Sequence, residues 1–375
     1  MGKIGIITLN GYFNYGNRLQ NYALEQVLRS IGFKVETIIV DNKNLDVPIN
    51  RKKFLDKIKG KKGKDLIFFS KNKIKKYLYN QNHLNLQREE IFKEFSLKYL
   101  SETDFTISEK NIPQDLLNRY DYFITGSDQV WNPNYTSGSS IYFLTFAPKN
   151  KRISYAASFG VSEIPEEYID NYKKWLSEMP HLSVREEAGA KIVKDLTGRE
   201  ATVSLDPTML LTKEQWLSIS QVPSHKPIKG YLLTYFLGNI PKERENLLKD
   251  IAKRNDLEIV NLARVKEKIP YLTGPSEFID YIDSASVFCT DSFHGAAFSI
   301  LLETPFIVFE RIDNSPSMNS RIETLLTKFK LESRLVQNIK SNEQIFEIDY
   351  SHVPPILQKE RDSSINYLKN ALNID

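Results

Sequence analysis

KIGIITLNGYFNYGNRLQNYALEQVLRSIGFKVETIIV, residues 3–40, begins with the short β-branched run of a buried strand at 3–9 and ends with another at 35–40. Between them lie a polar loop and a segment whose apolar side chains mostly follow helical i, i+3, i+4 spacing. A strand, a helix and a second strand in this order predict a βαβ unit with parallel strands.

The same alternation continues along the chain. Further strands are predicted at 122–125, 153–156, 181–184 and 202–205, with helices at about 164–179 and 186–197. After residue 206 the alternation restarts, with strands predicted at 230–236, 258–262, 286–290 and 306–309 and helices at 241–254, 275–284 and 295–303. The fold class is therefore α/β with two units that face each other across a cleft.

We expect a first domain over 1–205 and a second over 206–375. Prolines punctuate the chain between about 205 and 228, which favours a boundary there. The first domain carries an insertion at about 44–100. A last helix, at about 358–373, is expected to pack back on the first domain.

Composition limits the class of protein. The chain has 375 residues, 41% of them hydrophobic and 26% charged, which is typical of a globular protein. A single cysteine, Cys289, excludes an intramolecular disulfide framework and cysteine-cluster metal sites. No apolar run approaches the ~18 to 20 residues of a membrane-spanning helix, and the run from Ile4 to Leu9 is too short for a signal peptide. These features predict a cytoplasmic location.

One segment is strongly basic. Residues 51–76 contain twelve Lys or Arg against Asp56 and Asp65, an excess of ten, whereas the whole chain has a formal net charge of only +4. Interleaved aromatic and aliphatic side chains would let this segment lie on an anionic membrane, and a solvated insertion is the alternative. Binding to nucleic acid is disfavoured, because the rest of the chain lacks a basic face.

Open parallel sheets bind ligands beyond the carboxyl ends of their strands, so the loops after the predicted strands are the places to look for a site. The loop after the first strand has Gly11 and Gly16 in the spacing of a P-loop, but Asn17 and Arg18 follow where Lys and Ser or Thr are required. A dinucleotide fingerprint is also absent. What remains is a turn into a helix N-terminus with Arg18, which suits either an anion or a purely structural turn.

Three further strand ends carry polar groups. The strand at 122–125 leads into Gly126, Ser127 and Asp128, where the aspartate is a ligand-binding candidate or simply a helix N-cap. The strand at 153–156 leads to Ser158. Arg185 follows the strand at 181–184, a place where a guanidinium can hold a carboxylate or phosphate with two parallel hydrogen bonds.

The densest group of candidate residues lies in VFCTDSFHGAAFSI, residues 287–300, where Asp291, Ser292 and His294 follow a buried strand. Histidine is the side chain best suited to move a proton near neutral pH, although a structural role remains open. Arg321 follows a flexible loop farther on. No G-x-S-x-G elbow is present, which argues against a Ser-His-Asp triad, and no spacing of His or carboxylates predicts a metal site.

Six blocks together resemble the polysaccharide pyruvyl transferase family. They are the loop at 11–20 with its following helix, GSDQVW at 126–131, SYAASFG at 154–160, SVRE at 183–186, LDPT at 205–208 and TDSFHG at 290–295. The resemblance implies two Rossmann-like domains similar to those of GT-B glycosyltransferases. It also implies phosphoenolpyruvate as the donor, and as the product a pyruvate ketal on two hydroxyls of a surface polysaccharide or its lipid-linked precursor.

Under this resemblance, the three negative charges of phosphoenolpyruvate require cationic clamps, for which Arg18, Arg185 and Arg321 are the candidates. His294 is expected to transfer a proton or to bind the departing phosphate, and Asp128 or Asp291 to act as base for the acceptor hydroxyl. The remaining substrate-binding candidates are Gly126, Ser127, Ser158 and Ser292. The chemistry requires no metal and no organic cofactor. The alternatives are a GT-B glycosyltransferase that uses a nucleotide sugar and a catalytically inactive glycan-binding relative.

Overall fold

The computed structural model describes residues 2–41, 71–312 and 320–374. Apart from the backbone of its last six residues, the basic segment 51–76 lies outside the described residues, so its role stays a prediction.

The first half of the chain forms a five-stranded parallel sheet in the order β3-β2-β1-β4-β5. A small two-stranded parallel sheet, β6-β7, follows along the chain. The bounds of these strands are β1 Lys3–Ile7, β2 Lys34–Val40, β3 Glu102–Ile107, β4 Tyr122–Thr125, β5 Arg152–Ser154, β6 Ser183–Val184 and β7 Thr202–Val203.

The second half forms a four-stranded parallel sheet in the order β11-β10-β8-β9. Its strands are β8 Tyr231–Tyr235, β9 Glu258–Asn261, β10 Val287–Thr290 and β11 Phe306–Val308. The predicted α/β class with two parallel sheets is therefore confirmed.

Helices connect the strands and cover the sheets. The α-helices of the first half are α1 Tyr15–Ser30, α2 Lys71–Tyr99, α3 Leu116–Arg119, α4 Pro133–Thr136, α5 Ile169–Ser177 and α6 Glu187–Thr197. Those of the second half are α7 Lys213–Leu217, α8 Lys242–Arg254, α9 Lys268–Tyr271, α10 Pro275–Asp283, α11 Phe293–Leu302, α12 Ser320–Lys328, α13 Glu343–Phe346 and α14 Val353–Ala371. None of the described helices is both long and apolar enough to cross a membrane.

Several elements of the structure have no counterpart in the sequence prediction, and two of them, β3 and α2, matter for the core. Strand β3 lies at the edge of the first sheet, and its alternation of polar and apolar residues is weak. Helix α2 falls in the region that we assigned to an insertion. Its residues Phe92 and Phe95 are nevertheless buried in the main hydrophobic core, because the ring of Phe92 packs 5.2 Å from that of Tyr15 in α1.

The two halves share one continuous core. The hydrophobic cluster that contains Ile4 and Ile6 of β1 also contains Leu233 of β8. Helix α14 contacts the first half, because the Tyr367 hydroxyl donates to the carbonyl of Ser154 over 2.8 Å. The first and second sheets are thus held together on either side of a cleft.

Candidate active site between the two sheets

A cavity of about 530 Å³ lies where the carboxyl ends of strands from both sheets face each other. Loops after β1, β4, β8 and β10 contribute to its wall, as expected for parallel sheets. Its polar and charged lining residues are Asn14, Asn17, Arg88, Asp128, Gln129, Ser292, His294, Arg311 and Arg321. Its aromatic ones are Phe13, Tyr135, Tyr235, Phe236, Tyr271 and Phe293.

Arg321, on α12, supplies the clearest sign of an anionic ligand. Its side chain is buried in the cavity wall, and its Nε atom has no hydrogen-bond partner within the described part of the chain. Burial, together with the charges of Arg185 and Arg311, lowers the pKa of Arg321 to about 10. The side chain is still a cation at neutral pH, and a bound anion would satisfy it.

Arg185 lies behind the wall and holds two aspartates together. Its Nη1 donates to Oδ2 of Asp206 over 2.7 Å, and its Nη2 lies 3.4 Å from Oδ1 of Asp128. The guanidinium also lies 4.4 Å from the ring centre of Phe293. All these groups are buried, so they form a charged cluster shielded from bulk solvent.

His294 stands in the first turn of α11, where the Ser292 hydroxyl accepts from the amide of Gly295 and caps the helix. The imidazole fits against the backbone of α1 only because residue 16 is glycine. A Cβ there would come within 1.9 Å of Nδ1 of His294. On the other side of the ring, Nε2 lies 3.4 Å from Oδ2 of Asp206. The N-terminal ends of α1 and α11 therefore both face the cavity, which favours negative charge there.

Asp128 follows β4 with a backbone φ of 64°, in the left-handed region that few residues other than glycine adopt. Its Oδ2 accepts from Nδ2 of Asn17 over 3.4 Å. Burial alone would raise the pKa of Asp128, but the charges of Arg185, His294 and Arg321 hold it below its usual range. The cavity thus contains one fixed carboxylate among several cations.

Residues 14–314, most of the chain, match the family model for polysaccharide pyruvyl transferases. The chain belongs to the polysaccharide pyruvyl transferase family. Its predicted membership is confirmed, and with it the assignment to transferases that act in polysaccharide biosynthesis.

The chain is also similar in fold to solved structures. The structure of S. aureus MnaA with UDP is 11% identical with a TM-score of 0.51, and the match covers 100% of this chain and 98% of that chain. A putative UDP-N-acetylglucosamine 2-epimerase from Listeria monocytogenes is 13% identical with a TM-score of 0.48, covering 97% and 91%. No curated protein matches this sequence. The similarity to MnaA shows the fold alone, and it agrees with the predicted GT-B-like arrangement.

In this pyruvyl transferase family member, the structure brings only part of the predicted site to the cavity. Four predicted residues line it, namely Asp128, Ser292, His294 and Arg321. Arg185 and three small predicted residues lie behind the wall. Ser127 donates to the carbonyl of Ala156, Ser158 donates to Glu186, and Gly126 leaves room for the carbonyl of Tyr155, which a Cβ would approach to 2.2 Å.

Two predicted residues lie elsewhere because their polar atoms bind other parts of the protein. The guanidinium of Arg18 is fully buried, and it donates to Oε1 of Glu102 over 2.6 Å and to the carbonyl of Leu9 over 2.9 Å. The carboxylate of Asp291 accepts from the amides of Leu237 and Gly238 over 2.7 and 2.9 Å, and so holds the loop after β8. Neither side chain lines the cavity.

Three residues of the site were missed. Asp206 and Arg311 follow β7 and β11, so the strand-end rule applied to them as much as to the residues that it selected. Asp206 was noted as part of a family block, but no role was given to it. Arg88 on α2 gave no signal in the sequence, because it reaches the cavity from a helix that lies outside the predicted strand pattern.

Proposed function

We propose that this protein transfers a pyruvyl group from phosphoenolpyruvate to two hydroxyls of a sugar in a surface polysaccharide or a lipid-linked precursor. The product is a pyruvate ketal, and phosphate is released. Membership of the family supports this reaction class, and the cationic cavity supports an anionic donor.

The observation that carries the proposal is the buried guanidinium of Arg321, whose Nε has no hydrogen-bond partner among the described residues. Arg311 lines the same cavity and Arg185 lies directly behind it. A buried cation without a full set of acceptors is costly unless a ligand supplies them. A small molecule with a carboxylate and a phosphate provides acceptors for several guanidinium groups at once.

The reaction needs one carbon atom to accept a proton and two hydroxyls to lose theirs. Protonation of the donor's methylene carbon makes it a methyl group and leaves C2 as an oxocarbenium-like electrophile. The first hydroxyl adds to C2, the C2–O bond to phosphate breaks, and the second hydroxyl closes the ketal. Of the two hydroxyl protons, one replaces the proton used at carbon and the other leaves with the phosphate.

His294 is the group in the cavity best suited to these proton transfers, because imidazole gains and loses a proton near neutral pH. Asp128 is less suited to act as a base, since its pKa lies below the usual range and it holds a proton weakly. As a fixed negative charge at the cavity wall, it would instead stabilise the cation that develops at C2.

The test measures ligand preference and turnover in the same protein. Phosphoenolpyruvate should raise the thermal midpoint of the wild type, and Arg321→Met should abolish this shift while the protein still folds. Arg119→Met is the matched control, because Arg119 precedes β4 at the opposite end of the sheet and is partly exposed. The control should respond to phosphoenolpyruvate as the wild type does.

Turnover should appear as phosphate release from phosphoenolpyruvate only when a glycan acceptor is present. Stabilisation by uridine or guanosine diphosphate sugars, with no response to phosphoenolpyruvate, would instead favour the glycosyltransferase. A response to glycans alone would favour the inactive glycan-binding relative.

A further inference from the structure

Asp206 has contacts that the proposed reaction does not yet use. Its Oδ2 atom accepts from Nη1 of Arg185 over 2.7 Å, and it lies 3.1 Å from the Ser127 hydroxyl oxygen and 3.4 Å from Nε2 of His294. Its Oδ1 atom accepts from both the amide and the hydroxyl of Thr208, over 3.0 and 2.8 Å. One carboxylate therefore contacts Arg185, His294 of the second half and the backbone of Thr208, which lies between the two halves.

The carboxylate is held in its ionised form. Asp206 is buried, which by itself would raise its pKa, but the charges of His294 and Arg185 and the hydrogen bond from Arg185 hold the pKa far below its usual range. An ionised carboxylate can only accept hydrogen bonds. The ring nitrogen that faces it is therefore most stable when it carries a proton.

The two ring nitrogens of His294 have different surroundings. Nε2 is buried and makes no hydrogen bond among the described residues, but Oδ2 of Asp206 lies 3.4 Å from it, at ion-pair distance. His294 lines the cavity, and Nδ1, unlike Nε2, is not among the buried side-chain atoms of the described residues that lack a hydrogen-bond partner. Nδ1 lies on the side of Gly16, near the first turn of α1.

We propose that Asp206 is a positioning residue that directs the Nε2–H of His294 toward itself, so that Nδ1 is the nitrogen that exchanges a proton with the substrate. In the neutral ring the lone pair then lies on Nδ1, and a proton taken from an acceptor hydroxyl enters there. The same proton leaves from Nδ1 to the departing phosphate. The inference rests on the proposed function only for the identity of these substrates.

Two other groups near His294, Asp128 and Phe293, do not direct the Nε2 proton in this way. Asp128 is the other carboxylate whose charge acts on the imidazole, but its Oδ1 and Oδ2 face Arg185 and Asn17. The neighbouring Phe293 ring, 5.3 Å from the imidazole at a right angle, offers no acceptor oxygen. Within the described parts of the chain, Asp206 is the one carboxylate recorded within ion-pair distance of the imidazole.

The experiment records long-range proton–nitrogen correlation spectra of protein labelled with ¹⁵N-histidine. The chain has five histidines, so the signals are few, and the spectrum of His294→Gln assigns the missing set to His294. In the wild type above neutral pH, we expect the Nε2–H form of His294 in roughly tenfold excess or more, the ratio produced by one hydrogen bond to a charged group.

Asp206→Asn should remove this excess, because the neutral amide neither carries the charge nor can satisfy Arg185, Thr208 and His294 together. Thr208→Val is the matched control. It removes one hydrogen bond to Asp206 but keeps the carboxylate, so the Nε2–H form should persist.

If the asparagine variant does not fold, the tautomer ratio of His294 is compared with that of the exposed His225, because a free neutral imidazole itself favours the Nε2–H form, and equal ratios would overturn the inference. A neutral His294 that carries its proton on Nδ1 would overturn the inference, and so would an Asp206→Asn protein that folds and keeps the Nε2–H excess. If the Nε2–H form is found but phosphoenolpyruvate is neither bound nor consumed, the proposed function fails while the Asp206–His294 pair stands.

Discussion

At position 16, the absence of a side chain determines where a histidine from the other half of the chain can lie. The imidazole of His294 occupies the space that a Cβ would need. Gly16 is the second residue of α1, so alanine suits the local backbone well and would even raise helix propensity by about 1 kcal/mol.

We therefore predict that Gly16→Ala lowers turnover by roughly a hundredfold while the free energy of unfolding falls by only about 1–3 kcal/mol, the usual cost of one extra methyl group in a packed site. Steady-state kinetics and urea unfolding measure the two effects separately. Gly189→Ala in α6 is the control, because Gly189 is not among the residues that line the cavity and a Cβ there would come no closer than 3.1 Å to another atom. Equal losses of turnover in both variants would show that the contact with His294 is unimportant.

Glu25 is a buried carboxylate whose charge state should affect stability. Burial raises its pKa to about 7, against the lowering effect of hydrogen bonds from Thr37 and Ser101 and of the Arg29 charge. Because the folded state binds this proton more tightly than the unfolded state, the contribution of Glu25 is greatest below about pH 4.5 and is lost as pH rises to about 7.

We therefore predict that the free energy of unfolding of Glu25→Gln rises relative to that of the wild type between pH 5 and pH 8. Urea unfolding at each pH measures this difference. The full effect is on the order of 3 kcal/mol. Glu36→Gln is the control. The pKa of Glu36 is lowered, so this carboxyl is ionised in both the folded and the unfolded protein over this pH range. A wild-type minus Glu25→Gln difference that is constant with pH would show that Glu25 is charged throughout.

At the residue scale, the strand-end rule selects some side chains that line the cavity and others whose partners lie elsewhere in the fold. Asp128 and His294 follow strands and reach the cavity. Arg18 follows a strand as well, but Glu102 on the edge strand neutralises it, and a contact between residues so far apart in the chain leaves no local pattern.

Among the secondary-structure elements, helix α2 contacts both halves of the chain beside the cavity. Its Arg88 donates through Nη1 to the carbonyl of Tyr271 in the second half, and through Nη2 to that of Phe13 in the first half over 3.3 Å. The guanidinium lies 4.7 Å from the ring centres of both Tyr15 and Tyr271. Helix α2 thus joins the halves beside the cavity.

We predict that Arg88→Met lowers the free energy of unfolding by about 1–3 kcal/mol, because two carbonyls lose their donor and the aromatic rings lose a cation. Urea unfolding measures this change. Lys93→Met on the same helix is the control. Lys93 is half exposed, pairs with Glu89 and lies 5.4 Å from the ring centre of Tyr12, so its removal should cost less than about 1 kcal/mol. Similar losses for both variants would mean that Arg88 does not join the halves.

The strands and helices that the sequence predicted are those with strong periodicity or continuous β-branched runs. Strand β3 was not predicted, because an edge strand needs no continuous apolar run. The packing of α2 in the core was not predicted for a different reason. A high density of charge in one part of a segment suggested an insertion, and the buried face that begins at Leu84 became apparent only from its packing.

For the whole molecule, the site exists only because two sheets of separate chain segments face each other. Asp128, Arg185 and Asp206 come from the first half or the boundary, and His294 and Arg321 come from the second. The shared core therefore has a functional consequence, since any change in the relative position of the halves would separate His294 from Asp206.

The charge of the chain is also divided unevenly, and this leads to a prediction for the intact protein. Residues 51–76 carry an excess of ten positive charges, so the remainder has a net charge near −6. We propose that the segment brings the enzyme to an anionic membrane surface, where a lipid-linked acceptor would be concentrated. Each basic residue near such a surface contributes about 1 kcal/mol.

The intact protein should sediment with vesicles that contain anionic lipid and not with neutral vesicles. Binding should weaken steeply with salt, because exposed charges are screened within about 8 Å at physiological ionic strength. Replacing six lysines between 52 and 64 by glutamine should abolish sedimentation and leave turnover on a water-soluble acceptor unchanged, since the proposed reaction gives none of these lysines a role. Equal sedimentation of wild type and variant would show that the segment is a solvated insertion, and a loss of turnover in the variant would assign it to the reaction itself.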